Sequence, residues 1–577
     1  MLSTPASSPG SWAGPSPLRR LLPLLAGAVA ILPFVPALDA GFVSWDDVSM
    51  LVGETGYRGF DAHALGWMLT TTVMGHWSPL VWLSYAADHA MGGLNPRVFH
   101  ATSLALHGVN AALVCVVARR LLALPGGERA AARLGAAGDV TRADVGALSG
   151  ALLFALHPLR AEPVAWISDR RDLLCATFVL LAVWAYLRGI AGTGRLQGGW
   201  RLASLAAFAA ALASKGLAVT VPALLLVLDW YPLRRGSGWR ALAREKTPYL
   251  GLALGAAVAA TLALRASATV ADYGQYRPAS RLVLTGYALW IHPARLAWPA
   301  GLSPLYELPG EVSWAAPRFL APALAALAVT VGVLALRRRW PAGLAAWAVS
   351  VILLAPLGGV VLAGRHVAAD RYTYLSGLGL TVLAASALMG ILSARVVATR
   401  AAGIALAVLL LASLGTLAWR QTGFWHGSER LWRRAVAVEP DCAACLNNLA
   451  RALMRSDPGG AAGPDRPAEA EALLRRAIAL RPDEPGPYRN LGALLVMGGH
   501  WIEAETVFKE VVRRWPASAD GPAGLAAARE GVGDTAAAVA LLRQAVALEP
   551  GYVAARVELA RLERALDGGP PAGTVTR

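Results

Sequence analysis

The sequence predicts an all-α protein, with a polytopic helical membrane domain followed by an α-solenoid of tetratricopeptide repeats. Three observations support this fold class. Apolar side chains make up 56% of the 577 residues, more than the roughly 45–50% that is usual in soluble domains. Apolar segments close to the length of a bilayer crossing recur up to about residue 420. A repeated phrase with a 34-residue spacing follows them.

The first apolar segment is best interpreted as an uncleaved membrane span. Residues 1–17 are rich in Ser, Pro and Gly, and we expect them to be disordered. Arg19 and Arg20 precede an apolar stretch that ends near Leu38. A cleaved signal peptide is an alternative for this stretch. Many further apolar segments follow, however, and they favour a first span with a cytoplasmic N-terminus.

Together with this first span, the later apolar segments predict about eleven crossings in a membrane domain over residues 18–420. The predicted spans lie near residues 97–118, 144–159, 172–188, 202–214, 217–232, 248–265, 317–336, 341–362, 372–394 and 401–420. Residues 282–300 are apolar but contain the sequence His292-Pro-Ala-Arg295. We interpret them as a re-entrant or half-crossing segment.

Basic residues indicate the orientation. They gather in alternate loops, around Arg119–Arg142, Arg188–Arg201, Arg234–Lys246, Arg337–Arg339 and Arg395–Arg400. The positive-inside rule then places these loops and the N-terminus in the cytoplasm, and the C-terminus outside. The net charge of +16 is spread over these loops, which argues against nucleic-acid binding. Only three of 53 basic residues are Lys, which suggests a GC-rich genome, and we predict a bacterial inner-membrane protein.

The repeats fill residues 421–567, and a disordered tail is predicted over residues 568–577. Similar phrases end at Pro440, Pro482, Pro516 and Pro550, with spacings of 42, 34 and 34 residues. A 34-residue period is that of tetratricopeptide repeats. Asn448 and Asn490 occupy equivalent positions, which predicts that they face the concave groove and bind the backbone of an extended acceptor peptide. Helix capping or solvation is the alternative.

The candidate chemistry starts in the first outer loop, residues 39–96. The segment Phe42-Val-Ser-Trp-Asp-Asp-Val-Ser-Met50 places Asp46 and Asp47 just past the first span. Adjacent carboxylates raise each other's pKa, which suits one of them as a general base on an alcohol. Two solvated acids in a short loop are the alternative. The stretch from His76 to Met91 predicts an amphipathic helix above the membrane, with Leu80, Val81, Leu83, Ala87 and Ala90 as its apolar residues.

A departing phosphate needs fixed positive charge. Candidate donor phosphate ligands stand at the outer ends of spans: Lys215, Arg170, Arg171, Arg365 and Arg371. The alternative for each is a side chain that extends to the membrane interface. His157 and Glu162 lie in a tight outer turn and either shape the site or end a helix. The lone Cys442-x-x-Cys445 pair is weak support for zinc or redox chemistry, and packing of a helix start is the preferred interpretation.

Several motifs, taken in order, resemble a family of membrane enzymes. The motifs are Trp45-Asp-Asp47, His76-Trp-Ser-Pro79, the helix from Tyr85 to Asp88, Phe99-His100 with His107 and Asn110, Ala155-Leu-His-Pro158, Glu162-Pro-Val-Ala-Trp-Ile-Ser168, Ser214-Lys215, Leu302-Ser-Pro-Leu-Tyr306 and Asp370-Arg-Tyr-Thr-Tyr-Leu375. From Leu18 to about Pro550, the chain is similar to the membrane O-mannosyltransferases that carry tetratricopeptide repeats.

The resemblance implies a C-class, lipid-donor glycosyltransferase fold. It implies transfer of a sugar, mannose in characterised relatives, from a polyprenyl phosphate to Ser or Thr hydroxyls of an extracytoplasmic protein. Asp46 and Asp47 would be the catalytic acidic pair, and His76, Tyr85, Asp88, His157 and Glu162 would shape the site. Gly216 and Asp370 depart from the family pattern, where an acid and Glu are expected.

The sequence therefore predicts an inverting membrane glycosyltransferase. The lipid-linked sugar is a substrate, and no cofactor and no metal ligand set are predicted. Membrane lipids surround the chain, and the repeats recruit the acceptor polypeptide. A membrane-anchored repeat scaffold without catalysis is the first alternative, although a tether needs few spans. A flippase or transporter is the second, but it predicts charged residues near the middle of several spans.

Overall fold

The computed structural model describes residues 17–123, 142–192, 194–236, 238–266, 276–308, 312–357, 366–392, 396–455 and 465–566. The chain divides into a membrane unit, residues 1–302 and 311–426, and a repeat unit, residues 303–310 and 427–577. The predicted boundary was 420/421, and residues 303–310 were not expected to group with the repeats. Disorder was predicted for residues 1–17 and 568–577; residues 1–16 and 568–577 lie outside the described residues, whereas Pro17 begins the first helix.

The membrane unit is helical. Its α-helices are α1 Pro17–Ile31, α2 Ala62–Thr70, α3 Pro79–Gly92, α4 Pro96–Leu122, α5 Arg142–Ala155, α6 Ala161–Ala165, α7 Arg170–Ala191, α8 Gly194–Leu212, α9 Val221–Trp230, α10 Trp239–Ala266, α11 Pro278–Ala297, α12 Pro317–Ala335, α13 Pro341–Leu354, α14 Thr373–Ser376, α15 Leu378–Leu392 and α16 Val397–Gly423. A short strand, His366–Ala368, also belongs to this unit. Two 3₁₀ turns, Ile167–Asp169 and Gly216–Thr220, lead into α7 and α9.

Five helices in the described part of the chain are long and apolar enough to cross a bilayer: Arg19–Asp39, Pro96–Leu122, Ile167–Ala191, Pro317–Ala335 and Val397–His426. Asp370–Ser376 and Leu378–Ile391, bent by 64°, form a sixth candidate. The chain is thus a multi-pass membrane protein.

Other predicted spans form shorter helices. Helices α5, α9 and α13 have 14, 10 and 14 residues, or about 15–21 Å at 1.5 Å per residue, against a hydrocarbon core of about 30 Å. By helix length and composition, the described residues therefore contain five or six candidate crossings, against the eleven that were predicted.

The segment interpreted as re-entrant or half-crossing, residues 282–300, forms a helix over most of its length. His292-Pro-Ala-Arg295 does not interrupt its apolar segment, because Pro278–Ala297 is one continuous 20-residue helix with Pro293 inside it. The side chain of His292 turns back onto this helix, with Nδ1 at 2.6 Å from the carbonyl oxygen of Ala288. A proline ring inside a helix costs one backbone hydrogen bond but does not require a break when the surrounding helix is packed.

Helix α4 is the core of the membrane unit and packs against α1, α5 and α7. Its inward residues include polar ones that join neighbouring helices. His107 Nδ1 is 2.8 Å from Tyr374 Oη, and Asn110 Nδ2 donates to Tyr374 Oη at 3.1 Å and to the Leu173 carbonyl at 3.0 Å. These buried contacts hold the start of α7 and the Asp370–Leu375 segment in a fixed frame.

The predicted helix of the outer loop forms as α3. Its buried side carries Val81, Trp82, Tyr85 and Asp88, whereas Leu83 is exposed. Trp82 and Tyr85 pack into an aromatic cluster, and Asp88 pairs with a buried arginine. Aromatic and acidic side chains therefore hold one side of this helix against the protein, and Leu83, Ala87 and Ala90 of the predicted apolar residues are exposed on the other side.

The repeat unit is a stack of antiparallel helix pairs, as the 34-residue period predicts. Its helices are α17 Ser428–Val438, α18 Ala443–Met454, α19 Arg466–Leu480, α20 Pro485–Met497, α21 Trp501–Arg514, α22 Asp520–Gly531, α23 Thr535–Leu548 and α24 Val553–Leu566. Successive helices pack on each other. The short strand Tyr306–Glu307 also belongs to this unit. The Glu307 carboxylate is 3.4 Å from the Ala444 backbone nitrogen, and Arg481 Nη1 donates to the Leu308 carbonyl at 3.3 Å.

Candidate active site

The Asp46-Asp47 segment is held by its second acid. Asp47 is buried, and one carboxylate oxygen accepts a hydrogen bond from the Val43 backbone at 3.0 Å. The other oxygen accepts from the Ser168 backbone nitrogen at 2.9 Å and also from Ser168 Oγ. Asp47 thereby ties the outer loop to the turn that precedes α7.

Burial raises the pKa of Asp47 to about 6. The hydrogen bonds from Ser168 and Val43 oppose this rise, and the charge of Asp46 adds to it. Asp46 itself is half-buried. The two acids therefore have different environments: Asp47 is committed to contacts within the protein, and Asp46 stands closer to solvent.

A stack of tryptophan rings connects the acidic segment with a cation. The ring of Trp45 lies on the ring of Trp166, with centroids 4.4 Å apart and planes 11° apart. The guanidinium of Arg371 lies 5.3 Å from the Trp166 ring, and Trp425 stacks on Trp166 at 5.9 Å. Asp46 thus follows Trp45, whose ring stacks on Trp166, and the Trp166 ring in turn contacts Arg371.

Three cations gather beside this stack, each near a buried acid. Lys215 Nζ donates to Asp172 at 2.6 Å, and the Arg371 side chain forms an ion pair with Glu162. Arg171 Nε is 3.6 Å from Asp169, and Arg371 Nε is 3.9 Å from the same carboxylate. Lys215 lacks an acidic neighbour in sequence, and the structure supplies Asp172.

Arg171 is the cation with the loosest contact in this cluster. Its guanidinium is partly exposed and makes only the long contact with Asp169 among the described residues. It stands in the first turn of α7, a 22-residue helix whose N-terminal dipole also favours an anion. A phosphate could therefore bind to Arg171 without first breaking a short ion pair.

Two histidines show the positive field of this cluster. The charge of Arg171, together with removal from bulk water and the charges of Lys215 and Arg371, lowers the pKa of His76 to about 3. Burial and the same three cations lower the pKa of His366 to about 3. His366 Nε2 is also 2.6 Å from Tyr372 Oη. Both imidazoles are neutral at physiological pH.

The structure separates Arg170 from the other predicted phosphate ligands. Arg170 is fully buried, pairs with Asp88 at 2.5 Å and donates to the Phe99 carbonyl at 2.7 Å. Its guanidinium lies 4.7 Å from the Tyr85 ring, and Tyr85 Oη donates to the Ile167 carbonyl at 2.8 Å. Arg170, Asp88 and Tyr85 thus form a framework behind the cluster. Arg365, the fifth predicted cation, lies outside the described residues.

The remaining predicted residues do not belong to the cluster. His157 is buried, with Nε2 at 3.0 Å from the Leu296 carbonyl and Nδ1 accepting from the Leu159 backbone at 3.2 Å. In the repeat unit, Asn490 Nδ2 donates to Asn447 Oδ1 at 2.7 Å, and Asn448 is half-buried. Asn490 therefore contacts a neighbouring repeat helix.

Cys442 and Cys445 are joined by a disulfide. Cys442 is also the N-cap of α18, and its sulfur accepts a hydrogen bond from the Cys445 backbone at 3.1 Å. The sequence interpretation, in which the two cysteines only pack at a helix start, therefore lacked the disulfide. Spacing alone cannot separate a disulfide from two buried thiols.

Sequence reasoning missed five polar site residues: Ser168, Asp169, Asp172, His366 and Tyr372. The available signal was the run Ser168-Asp-Arg-Arg-Asp172 at the start of an apolar segment. So many polar side chains at one span end indicate a site rather than an anchor. Within the described residues, no three His, Cys, Asp or Glu side chains converge as a metal site.

The comparisons with known proteins agree with the family resemblance. Over 223 residues the chain is 30% identical to mouse "Protein O-mannosyl-transferase TMTC4", and the match covers 36% of this chain and 29% of that protein. It is 31% identical over 176 residues to Drosophila melanogaster "Protein O-mannosyl-transferase Tmtc1", covering 28% and 18%. The chain thus matches less than a third of the length of these relatives. The resemblance is confirmed over this region, which is shorter than the Leu18–Pro550 range of the motifs.

No protein-family model matches the chain. Among solved structures, ArnT from Cupriavidus metallidurans bound to undecaprenyl phosphate is 16% identical with a TM-score of 0.35, covering 90% of this chain and 79% of that one. MamA from Desulfovibrio magneticus is 20% identical with a TM-score of 0.21, covering 24% and 74%. Scores this low carry no structural argument.

Proposed function

We propose that the chain is an integral membrane glycosyltransferase that moves a sugar from a polyprenyl-phosphate donor to Ser or Thr hydroxyls of an extracytoplasmic protein. The observation that carries this proposal is the Trp45–Trp166–Arg371 stack, which joins an acidic pair to a cluster of cations. A general base and an anion site are what such a transfer needs. Mannose is the sugar that similarity to the O-mannosyltransferases favours.

The two acids have separate roles in this proposal. Asp46, which is half-buried, removes the proton of the acceptor hydroxyl. Asp47 is a positioning residue, since both of its oxygens accept hydrogen bonds from Val43 and Ser168. A proposed base must reach its substrate before its pKa matters, and reach favours Asp46.

The reaction is a single displacement. The acceptor oxygen bonds to the anomeric carbon while the bond from that carbon to the phosphate oxygen breaks, and its electron pair stays with the phosphate. The acceptor proton passes to Asp46, and the anomeric configuration inverts. The polyprenyl phosphate gains one negative charge, which Arg171, Lys215 and Arg371 stabilise.

The repeat unit is proposed to recruit the acceptor polypeptide outside the inner membrane of a bacterium. The disulfide between Cys442 and Cys445 supports an oxidising compartment. The distribution of basic loops supports the same side, with the N-terminus in the cytoplasm. The lipid-linked sugar is a substrate, and no cofactor enters the proposed reaction.

Purified full-length chain, radiolabelled polyprenyl-phosphate sugars and a Ser/Thr-rich peptide test the proposal. We expect a labelled glycopeptide with polyprenyl-phosphate mannose, with the opposite anomeric configuration to the donor. Label on the peptide from another sugar would correct the sugar alone. No transfer from any donor, combined with capture of envelope proteins by the repeats, would favour the scaffold alternative.

A further inference from the structure

An elongated apolar cavity lies inside the membrane unit. Its volume is about 190 Å³, and its walls come from α4, α7, α9, α13 and the start of α15. Tyr231 and Ser386 are the polar exceptions among its lining residues. The cavity is partly open at the surface of the unit, and its apolar lining favours hydrocarbon over water.

The cavity has about the depth of one membrane leaflet. Along α13 its lining runs from Ala342 to Leu353, a rise of about 16 Å at 1.5 Å per residue. Half of a hydrocarbon core of about 30 Å is close to this length. Leu122, Tyr231 and Ala342 stand at one end, where α4 and α9 finish and α13 begins. Leu375 lines the other end of the cavity. Arg371 precedes Leu375 by four residues, so the end at Tyr231 is the one away from Arg371.

A cation stands beside the Tyr231 end. The Arg234 guanidinium is 5.7 Å from the Tyr231 ring, and the side chain is exposed. Among the described residues it has no acidic partner, whereas the adjacent Arg235 pairs with Asp229 and Glu245. Arg234 has a φ of +46°, which residues other than glycine rarely adopt. An unneutralised arginine is therefore held next to a tyrosine at the cavity end.

We propose that this cavity binds an acyl chain of an anionic phospholipid, and that Arg234 binds the phosphate of its headgroup at the membrane face opposite to the acidic pair. The leaflet depth fits one acyl chain, and charge complementarity selects an anionic headgroup. Tyrosine is a common residue at the headgroup level. Arg234 stands at the cavity end away from Arg371, so the proposed headgroup site does not depend on the transferase proposal.

The test is lipid binding to delipidated, full-length protein, measured by native mass spectrometry with phosphatidylglycerol and phosphatidylcholine. Arg234→Gln should weaken phosphatidylglycerol binding about fivefold, which corresponds to about 1 kcal/mol per basic residue at an anionic lipid surface. Arg240→Gln is the matched control, because Arg240 is an exposed arginine in the first turn of α10, six residues further along the chain, and also lies over an aromatic ring, that of Trp239, at 5.5 Å. It should bind as the wild type does.

A cavity-filling variant tests the acyl chain separately. Ala345 lines the cavity and is buried, and Ala345→Phe should reduce phosphatidylglycerol binding more than fivefold. Equal binding by the Arg234→Gln and Arg240→Gln variants would overturn the proposal. It would also be overturned if polyprenyl phosphate displaced phosphatidylglycerol and Ala345→Phe weakened only polyprenyl phosphate. The exposed Arg234 variant remains informative if the Phe variant does not fold.

Discussion

At the scale of the residue, the Asp47 carboxyl group connects stability with chemistry. Its pKa is raised from 3.8 to about 6 by burial, so the folded state binds this proton more tightly than the unfolded chain does. Its contribution to the free energy of unfolding consequently falls as the pH rises from about 4 to about 6, and stays lower above pH 6. At neutral pH the charged, buried carboxylate therefore lowers the free energy of unfolding.

The raised pKa predicts an acid limit for activity. Below pH 6 the protonated Asp47 can no longer accept from both Ser168 and Val43, and the segment that carries Asp46 loosens. We expect kcat/KM to fall about tenfold per pH unit below about pH 6. Ser168→Ala removes a hydrogen bond that lowers this pKa, so its limit should move to higher pH. A profile that is flat down to pH 4.5 would contradict this role.

The adjacent arginines of α7 should behave differently when replaced. Arg171→Gln should leave the protein folded and reduce kcat/KM about 10- to 100-fold, the effect of losing a charge-assisted hydrogen bond of about 1.5–3 kcal/mol. Arg170→Gln should destabilise the fold by about 3–5 kcal/mol, because Asp88 is left buried without its partner. Thermal unfolding and donor kinetics separate the two effects. A folded, fully active Arg171→Gln protein would remove Arg171 from the donor site.

Sequence alone could identify these charges but not their partners. Asp46, Asp47, Lys215, Arg171 and Arg371 were all predicted to be in the site from their places at the ends of apolar segments. Pairings such as Lys215 with Asp172 depend on helix packing between residues far apart in the chain. The same limit explains why Arg170, next to Arg171, was given the same role.

At the scale of the element, close packing fixes the repeats. The ring of Phe508 lies between Gly492 and Gly524: added Cβ atoms would be 2.5 Å and 2.1 Å from it. Gly524, which stands where the other repeats have Asn448 and Asn490, therefore makes room for a core ring. The 34-residue period predicted the helix pairs, but the reason for this glycine required the structure.

Gly524→Ala should destabilise the repeat unit by about 1–3 kcal/mol, because the buried ring cannot move away from the new methyl group. Gly551→Ala is the control, since nothing lies within 4 Å of an added Cβ there. Limited proteolysis of the purified full-length chain measures the difference. Equal resistance of the two variants would show that the ring has room to shift.

The presence of a helix was easier to predict than its length or the face that it buries. The apolar segments around α5, α9 and α13 form helices, yet these are shorter than a bilayer crossing. Hydropathy reports the composition of a segment and not where its helix starts or bends. For α3 the buried face was set by aromatic packing and by the Arg170–Asp88 pair, which a local pattern cannot show.

At the scale of the whole molecule, the account places the repeats outside the cytoplasm. A cysteine introduced at the exposed Ala517 should react with a membrane-impermeant maleimide in cells with a permeabilised outer membrane. Arg338→Cys, in a predicted cytoplasmic loop, should react only after the inner membrane is opened. The native cysteines are buried or joined in a disulfide. Protection at residue 517 with reaction at residue 338 would reverse the orientation.

The fold class and its two-part organisation followed from composition and period, because these depend on the average character of long segments. The grouping of residues 303–310 with the repeats did not follow. That segment lies between predicted membrane segments, and only contacts such as Arg481 with Leu308 assign it to the repeat unit.

The central claim is that Asp46 is the base of a sugar transfer. Its most direct test is the single-turnover rate from polyprenyl-phosphate mannose to a peptide hydroxyl, compared between Asp46→Asn and Asp61→Asn. Asp61 lies in the same outer loop and caps α2, a role that Asn also performs. The account predicts a loss of about 10²- to 10⁴-fold for Asp46→Asn and wild-type transfer for Asp61→Asn. Equal rates in the two variants would contradict it.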